Sequence, residues 1–448
     1  MNPIVVEDNS VCKEKLSEQQ LNDLSKYAGL SLQELCKKEP HLLIFPHALG
    51  ANDDDIGKQN LFDISGGTVK TGNTMGFFCV GETQVKIHSR FDESEHQYFL
   101  HYMLQRVMGI NILNLQNHMG QDEVWEFLKY LFPYCLLRAV KQGIFRAYRQ
   151  YECNDAKVKG AIDIARHLKL NLPFTGKIAC RVREYSADNA VMQLIRHTVE
   201  FIRGDRKCAE ILRTGDEIKE AVATIVGATP TYNARERDKV IFKNSRGANH
   251  PYFTEYNFLR DLCLRILRHD KVSSGQDENH IRGIVFDGSW LWEEYLATLL
   301  KKRGFEHPEN KTGKGRKYLY KYDESTGKIY PDFIDDKSTG KIYPDFIGEN
   351  SVLDAKYKRL DEKNISRDDR FQMISYMHVL NKSQGYLLYP TQSETATEER
   401  KELAGFGGVL GTVFFPIPAV AAWDEFFSSM QKSEDRFIQK IHSRINNT

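Results

Sequence analysis

Apolar and polar positions alternate with a period of two through YPDFIGENSVLDAKYK, residues 343–358. The pattern predicts a β-hairpin: one strand from Tyr343 to Gly348, a two-residue turn at Glu349-Asn350, and a second strand from Ser351 to Lys358. Helical periodicity flanks it. Ser289 to Arg303 reads as a helix whose Glu293 shares a stripe with Leu296 and Leu300 and so faces the packed side, while Glu294 falls on a stripe with Thr298 and Lys301 and is expected in solvent. Ser366 to Leu380 reads as a second helix, with Ser366 as its N-cap and Asp368 and Asp369 in its first turn. Gly385–Tyr389 and Thr412–Phe415 are short apolar runs of the kind found in buried strands. Together these elements predict an α/β sheet with packed helices over residues 273–448.

Upstream the pattern changes twice. Residues 1–94 carry two short amphipathic stretches opened by Ser17-Glu18 and Leu30-Ser31. Strand-like runs follow at Leu42–Phe45, Gly76–Val80 and Gln84–Ile87, separated by turns at Gly66-Gly67 and Gly81–Thr83. This predicts a β-rich N-terminal module. From residue 95 to 272 the spacing is mainly helical, with helices expected at Glu95–Arg149, Ala187–Ile202, Ala209–Ile225 and Pro251–His269. A loop or short strand is expected at Val158–Asp163, and a polar linker at Lys271–Asn279. The fold class is therefore α/β multidomain, divided as 1–94, 95–272 and 273–448.

Composition adds little for the whole chain: 62 Lys and Arg balance 61 Asp and Glu among 448 residues. The distribution says more. Between Arg138 and Arg183 there are eleven Lys or Arg against three Asp or Glu, a basic segment that could follow a phosphate backbone or form a solvated face. The eight cysteines contain no C-x-x-C pair, which disfavours a zinc site and fits reduced thiols in a cytoplasmic setting. The N-terminus shows no basic region followed by an apolar run, so no signal peptide is expected. The apolar stretch Val124–Val140 is interrupted by Glu126, Lys129, Pro133 and Arg138, which points to a buried helix rather than a membrane span. No G-x-x-x-x-G-K-[ST] string occurs, so nucleotide hydrolysis would have to come from a partner.

The hairpin carries the chemistry. A two-residue turn sets Asp345 opposite Asp354, with Lys356 two residues further along the same face. Facing carboxylates repel, and a cation between them relieves the repulsion. Few, hard oxygen ligands suit Mg²⁺, with Mn²⁺ as a substitute. A neighbouring lysine can orient attacking water or offset charge developing on a phosphate. Glu293 is a candidate third acid from the preceding helix. The decapeptide STGKIYPDFI occurs twice, at 325–334 and 338–347. The chain therefore offers two Pro-Asp pairs, and Asp332 stands as an alternative to Asp345. The second copy is preferred because it lies one tight turn from Asp354.

Pro344-Asp345 followed by Asp354-Ala355-Lys356 resembles the PD-(D/E)xK nuclease signature, with Asp in the second acidic place. QMISY, 372–376, resembles the Q-x-x-x-Y string of RecB-like nucleases. LWEEYLATLL, PDF, VLDAKYK and RFQMISYMHVL together resemble the McrC family, the nuclease subunit of McrBC-type modification-dependent restriction systems. The likeness extends more weakly to GFFCVGETQVKIHSRF (76–91) and VKGAIDIARHLK (158–169). The resemblance implies a C-terminal PD-(D/E)xK-type nuclease domain. It also implies an Mg²⁺-dependent endonuclease acting on double-stranded DNA, modified DNA included, and a McrB-like GTP-hydrolysing AAA+ partner held through the N-terminal region. Asp345, Asp354, Glu293 and the Ala355 carbonyl would then serve the metal, Lys356 the water, and Gln372 the scissile phosphate or the water. Two rivals stand beside this reading: a self-sufficient RecB-like repair nuclease, and a vestigial nuclease fold that binds DNA or stimulates a motor.

Overall fold

A computed structural model of the chain describes residues 3–39, 42–46, 55–92, 97–109, 121–206, 208–245, 250, 252–272, 280–308, 310, 315, 317–319, 340–360, 365–393, 396–405, 407–420 and 422–446. The first part of the chain holds β1 (Ile4–Glu7), α1 (Glu18–Ser25), α2 (Leu32–Lys38), β2 (Leu42–Phe45), β3 (Phe62–Ser65), β4 (Thr68–Thr71), β5 (Thr74–Val80), β6 (Thr83–His88) and α3 (Tyr98–Met108). The middle holds α4 (Gln121–Lys141), β7 (Ala147–Asp155), β8 (Ala161–Ile162), α5 (Ile164–Leu170), β9 (Ile178–Ser186), α6 (Ala190–Gly204), α7 (Asp216–Ala228), α8 (Arg237–Ser245) and α9 (Thr254–Val272). The last part holds β10 (Ile281–Asp287), α10 (Gly288–Leu300), β11 (Lys317–Tyr318), β12 (Lys341–Ile342), β13 (Phe346–Ile347), β14 (Ser351–Ala355), α11 (Arg367–Leu380), β15 (Gln384–Thr391), β16 (Arg400–Glu402), β17 (Val409–Pro416) and α12 (Trp423–Asn446).

These elements gather into two compact units, one of Met1–Leu113 with Asp277–Thr448, the other of Asn114–Gln276. The division expected at 1–94, 95–272 and 273–448 is corrected by one strand. β10 inserts between β5 and β2 in a five-stranded sheet of order β1-β6-β5-β10-β2, antiparallel to β5 and parallel to β2. The N-terminal sheet is thus completed from beyond residue 280, and its core includes Ile281 and Val285 beside Leu42, Ile44, Phe78 and Val85. β5 and β10 approach closely at their glycines. A Cβ on Gly76 would lie 2.2 Å from the Ile284 carbonyl oxygen, and one on Gly283 would lie 2.3 Å from that of Phe77. The two preceding helices start where the sequence signals them, at capping boxes Ser17/Gln20 and Ser31/Glu34.

The second sheet of this unit has the order β13-β14-β15-β17-β16. β14, β15 and β17 run parallel, with antiparallel strands at both edges. Helix α11 connects β14 to β15, and its Met373, Tyr376 and Met377 pack with Val352, Leu387, Tyr389, Leu410 and Phe414. Helix α10 is buried almost all round, including both tryptophans. Tyr102 of α3 and Tyr295 of α10 each donate a hydrogen bond to Glu434 Oε1 of α12, at 2.9 Å, which ties three helices together.

In the other unit, α9 packs against α4 and α6. Beside these helices β7 and β9 pair antiparallel over nine residues, from Ala147↔Ser186 to Asp155↔Ile178, and β8 joins β9. The helix expected to run to Arg149 ends at Lys141, and a strand begins at Ala147. This arm leaves Tyr148, Ile164, Leu172, Phe174 and Tyr185 exposed. The Arg183 guanidinium lies 4.5 Å from the centre of the Tyr148 ring. The acids of the basic segment are used locally: Arg166 pairs with Glu152, Lys159 with Asp155 and Arg181 with Asp163. Among the described residues no helix is long and apolar enough to cross a membrane.

Candidate active site

The hairpin forms with the expected register. Phe346 faces Leu353 and Ile347 faces Val352, and the Gly348 N–H donates to the Ser351 carbonyl at 2.8 Å across the turn. The first strand is shorter than expected, because Tyr343, Pro344 and Asp345 lie before β13 and outside any ladder. Asp345 nevertheless reaches the neighbouring strand, where its Oδ2 accepts the Ala355 N–H at 2.8 Å. The Ala355 amide is therefore spent on Asp345. Asp354 lies near the carboxyl end of β14, between β13 and β15, and is 3% exposed. Open parallel sheets present their ligands beyond these strand ends. Asp332 and the first repeat copy lie outside the described residues. The described residues on either side of it meet, the Leu319 N–H donating to the Gly340 carbonyl at 2.7 Å.

Lys356 follows with its Nζ 2.6 Å from Asp354 Oδ2 and 3.8 Å from Asp369 Oδ1. The same Nζ donates to Gln372 Oε1 at 2.8 Å. Gln372 Nε2 donates to Tyr376 Oη at 2.7 Å, and Tyr376 Oη donates to the Tyr343 carbonyl at 3.2 Å. Gln372 and Tyr376 thus form a relay from the lysine to the backbone just before Asp345. Gln372, expected to address phosphate or water, is here bonded at each end of its amide to a protein group, which gives it a holding contact to the lysine. Asp369, known from the sequence only as a first-turn acid, also takes Lys358 as an ion-pair partner.

Glu293 is buried, as its stripe demands. Glu294, expected in solvent, is only partly exposed. The reason is His307, whose Nε2 lies 3.8 Å from Oε1 of both glutamates. His307 and Asn310 carried no spacing signal in the sequence. Both bind the segment before β13: His307 Nδ1 donates to the Asp345 carbonyl at 2.8 Å, and Asn310 Nδ2 to that of Pro344 at 3.0 Å.

The electrostatics follow from burial and like charge. Burial pushes the Asp345 carboxyl well above its ordinary range, and the charges of Glu293 and Asp354 push it further. Burial also raises Asp354, against the pull of Lys356. Burial works against the charge on Lys356, but the carboxylates of Asp354, Asp345 and Asp369 together outweigh it and hold the ammonium above its ordinary value. Among the described residues no group of three or more His, Cys, Asp or Glu side chains is arranged to hold a metal. What is offered is a buried carboxylate pair with a third acid nearby. That donor set fits Mg²⁺, which is commonly held by one or two carboxylates with water and phosphate completing the octahedron. A dication there would offset the repulsion that raises both aspartates.

Residues 69–390 match the family described as McrBC 5-methylcytosine restriction system component. No curated protein matches the chain. Among solved structures, a refined half-complex from the tetradecameric assembly of Thermococcus gammatolerans McrB AAA+ hexamers with bound McrC is similar at 15% identity and TM-score 0.45. The match covers 98% of this chain and 100% of that one. The cryo-EM structure of the Thermococcus gammatolerans McrBC complex is similar at 16% identity and TM-score 0.31, over 67% of this chain and 88% of that one. The family match spans well over half of the sequence, and the chain belongs to the McrBC 5-methylcytosine restriction system component family.

Proposed function

We propose that this chain is the nuclease subunit of a McrBC-type restriction system, cleaving phosphodiesters of double-stranded DNA with Mg²⁺ when coupled to a GTP-hydrolysing AAA+ partner. The observation that carries the reading is the hairpin geometry: Asp345 bonded to the Ala355 amide, and Lys356 paired to Asp354 beside it. In this reading Asp345 and Asp354 hold the metal, with Glu293 and the Ala355 carbonyl assisting. When bound, Mg²⁺ would lower the pKa of water and offset charge on the phosphate oxygens. Lys356, kept charged by Asp354, donates from Nζ to the attacking water or to the developing phosphate charge. Gln372 and Tyr376 hold that ammonium in line with the acids, so the lysine loses little freedom on reaching the transition state.

Membership of the McrBC component family supports the partner in this reading. Residues 1–94 are assigned to that contact, as the resemblance implies. The test is cleavage of modified and unmodified duplex DNA by the purified chain, with and without its AAA+ partner and GTP. Cleavage is expected only with both, supported by Mg²⁺ or Mn²⁺ and not by Ca²⁺, whose longer bonds and looser geometry misplace the water. Robust site-specific cutting by the chain alone would favour the self-sufficient nuclease. Partner stimulation with no cleavage under any of these conditions would favour the binding-only subunit.

A further inference from the structure

Asp345 stands where a strand ladder would ordinarily fix the backbone, yet β13 begins only at Phe346. Pro344 has no N–H to give. Three consecutive carbonyls, those of Tyr343, Pro344 and Asp345, instead accept from the side chains of Tyr376, Asn310 and His307. The segment that supplies two of these donors is itself locked to the hairpin: Glu306 and Ile347 exchange N–H to carbonyl bonds at 2.8 Å in both directions. The His307 ring is stacked on Phe346, with centroids 4.9 Å apart and planes 24° from parallel, and its side chain is 6% exposed.

We propose that His307 is a positioning residue for Asp345: its Nδ1–H replaces the missing ladder bond and holds the acid opposite Asp354. The proposal rests on the carboxylate site described above. A carbonyl only accepts, so Nδ1 carries a proton whatever the charge of the ring. Asp345 is then held at both ends, its carbonyl by His307 and its Oδ2 by the Ala355 N–H, each at 2.8 Å. Asn310 does the same for the preceding peptide. Partners that orient a metal-binding side chain typically change metal affinity by about 10–100-fold when removed.

The alternative is a core histidine that only fills space against Phe346. Two variants separate these roles. His307→Phe keeps the stacked ring and loses the donor. His307→Asn loses most of the ring but places an amide N–H near the position of Nδ1. Mg²⁺ binding to the DNA-free protein is measured by calorimetry, and cleavage with the AAA+ partner gives kcat and KM. Positioning predicts that His307→Phe weakens Mg²⁺ binding about tenfold and lowers kcat with KM for DNA unchanged, and that His307→Asn restores most of both. Should His307→Phe fail to fold, His307→Gln takes its place, since its amide reaches the Nε2 position and not that of Nδ1. Equal Mg²⁺ affinity in wild type and His307→Phe, or in His307→Asn and His307→Gln, overturns the positioning role. A wild type that binds no Mg²⁺ overturns the carboxylate site and the proposal with it, while one that binds normally leaves the two failures distinct.

Discussion

Replacing Asp345 by Asn should make the metal-free protein more stable at neutral pH. The side chain keeps its shape, and its Oδ1 can still accept the Ala355 N–H now taken by Oδ2. What disappears is a buried negative charge beside Glu293 and Asp354, the two acids that raise the Asp345 carboxyl after burial itself. Two like charges about 5 Å apart at an effective dielectric of about 20 repel by about 3 kcal/mol. Lys356 offsets part of this, so a net gain of about 1–2 kcal/mol is expected, or about 2–6 °C in Tm for a unit of this size. The sign with pH is fixed by the raised carboxyl. The folded state holds the proton more tightly than the unfolded chain, so wild-type stability falls as pH climbs from the ordinary 3.8 towards the folded-state value. The advantage of Asp345→Asn should therefore vanish below about pH 4 and be largest at neutral pH. Thermal unfolding in a chelator, followed across pH and repeated with millimolar Mg²⁺, tests this. Added Mg²⁺ should raise the Tm of wild type and not that of the variant. A variant less stable than wild type at pH 7 without divalent ions would refute the account of the site as a repelling pair.

The repeat offers a second test: Asp332→Ala should retain most cleavage activity, Asp345→Ala should lose it, and removal of residues 325–337 should be tolerated, because it leaves one complete STGKIYPDFI before the hairpin. The opposite ranking of the two alanine variants in a cleavage assay would assign the site to the first copy. Gly288→Ala should destabilise the protein by about 1–3 kcal/mol in urea unfolding. Its Cβ would sit 2.5 Å from Cε1 of Tyr357, a ring held by Ser89 at 2.7 Å and by Phe91 edge-on at 5.2 Å. Unchanged stability would mean that the ring is free to move aside.

The parts of the structure that local rules determine were legible in the sequence. A two-residue turn fixes register, so the Phe346↔Leu353 and Ile347↔Val352 pairs follow from Glu349-Asn350 alone. Serine caps at 17, 31 and 366 announce helices because they satisfy amides within three residues. β10 was hidden because its partners, β5 and β2, lie some two hundred residues earlier, and Arg282 and Gly283 break its apolar run. β7 and β9 were hidden because exposed aromatic and charged residues alternate with no consistently buried face. Spacing found Gln372 and Tyr376 as a pair but could not say that one meets the lysine and the other the backbone before Asp345. His307 and Asn310 are single polar residues whose meaning depends on carbonyls more than thirty residues away.

The strand shared between the two ends of the chain also sets the order in which the protein can be made. β5 and β6 can pair as soon as they leave the ribosome, but the register of β2 joins Leu42 to Gly283. Leu42–Phe45, buried at every position in the finished molecule, must wait for more than half of the polypeptide to be synthesised. Pairings of such long range form slowly, and an apolar strand without its partner is open to wrong ones. The nascent chain is therefore most prone to aggregation late in synthesis, just before β10 emerges, and the N-terminal sheet is finished only when the residues beyond 280 begin to appear.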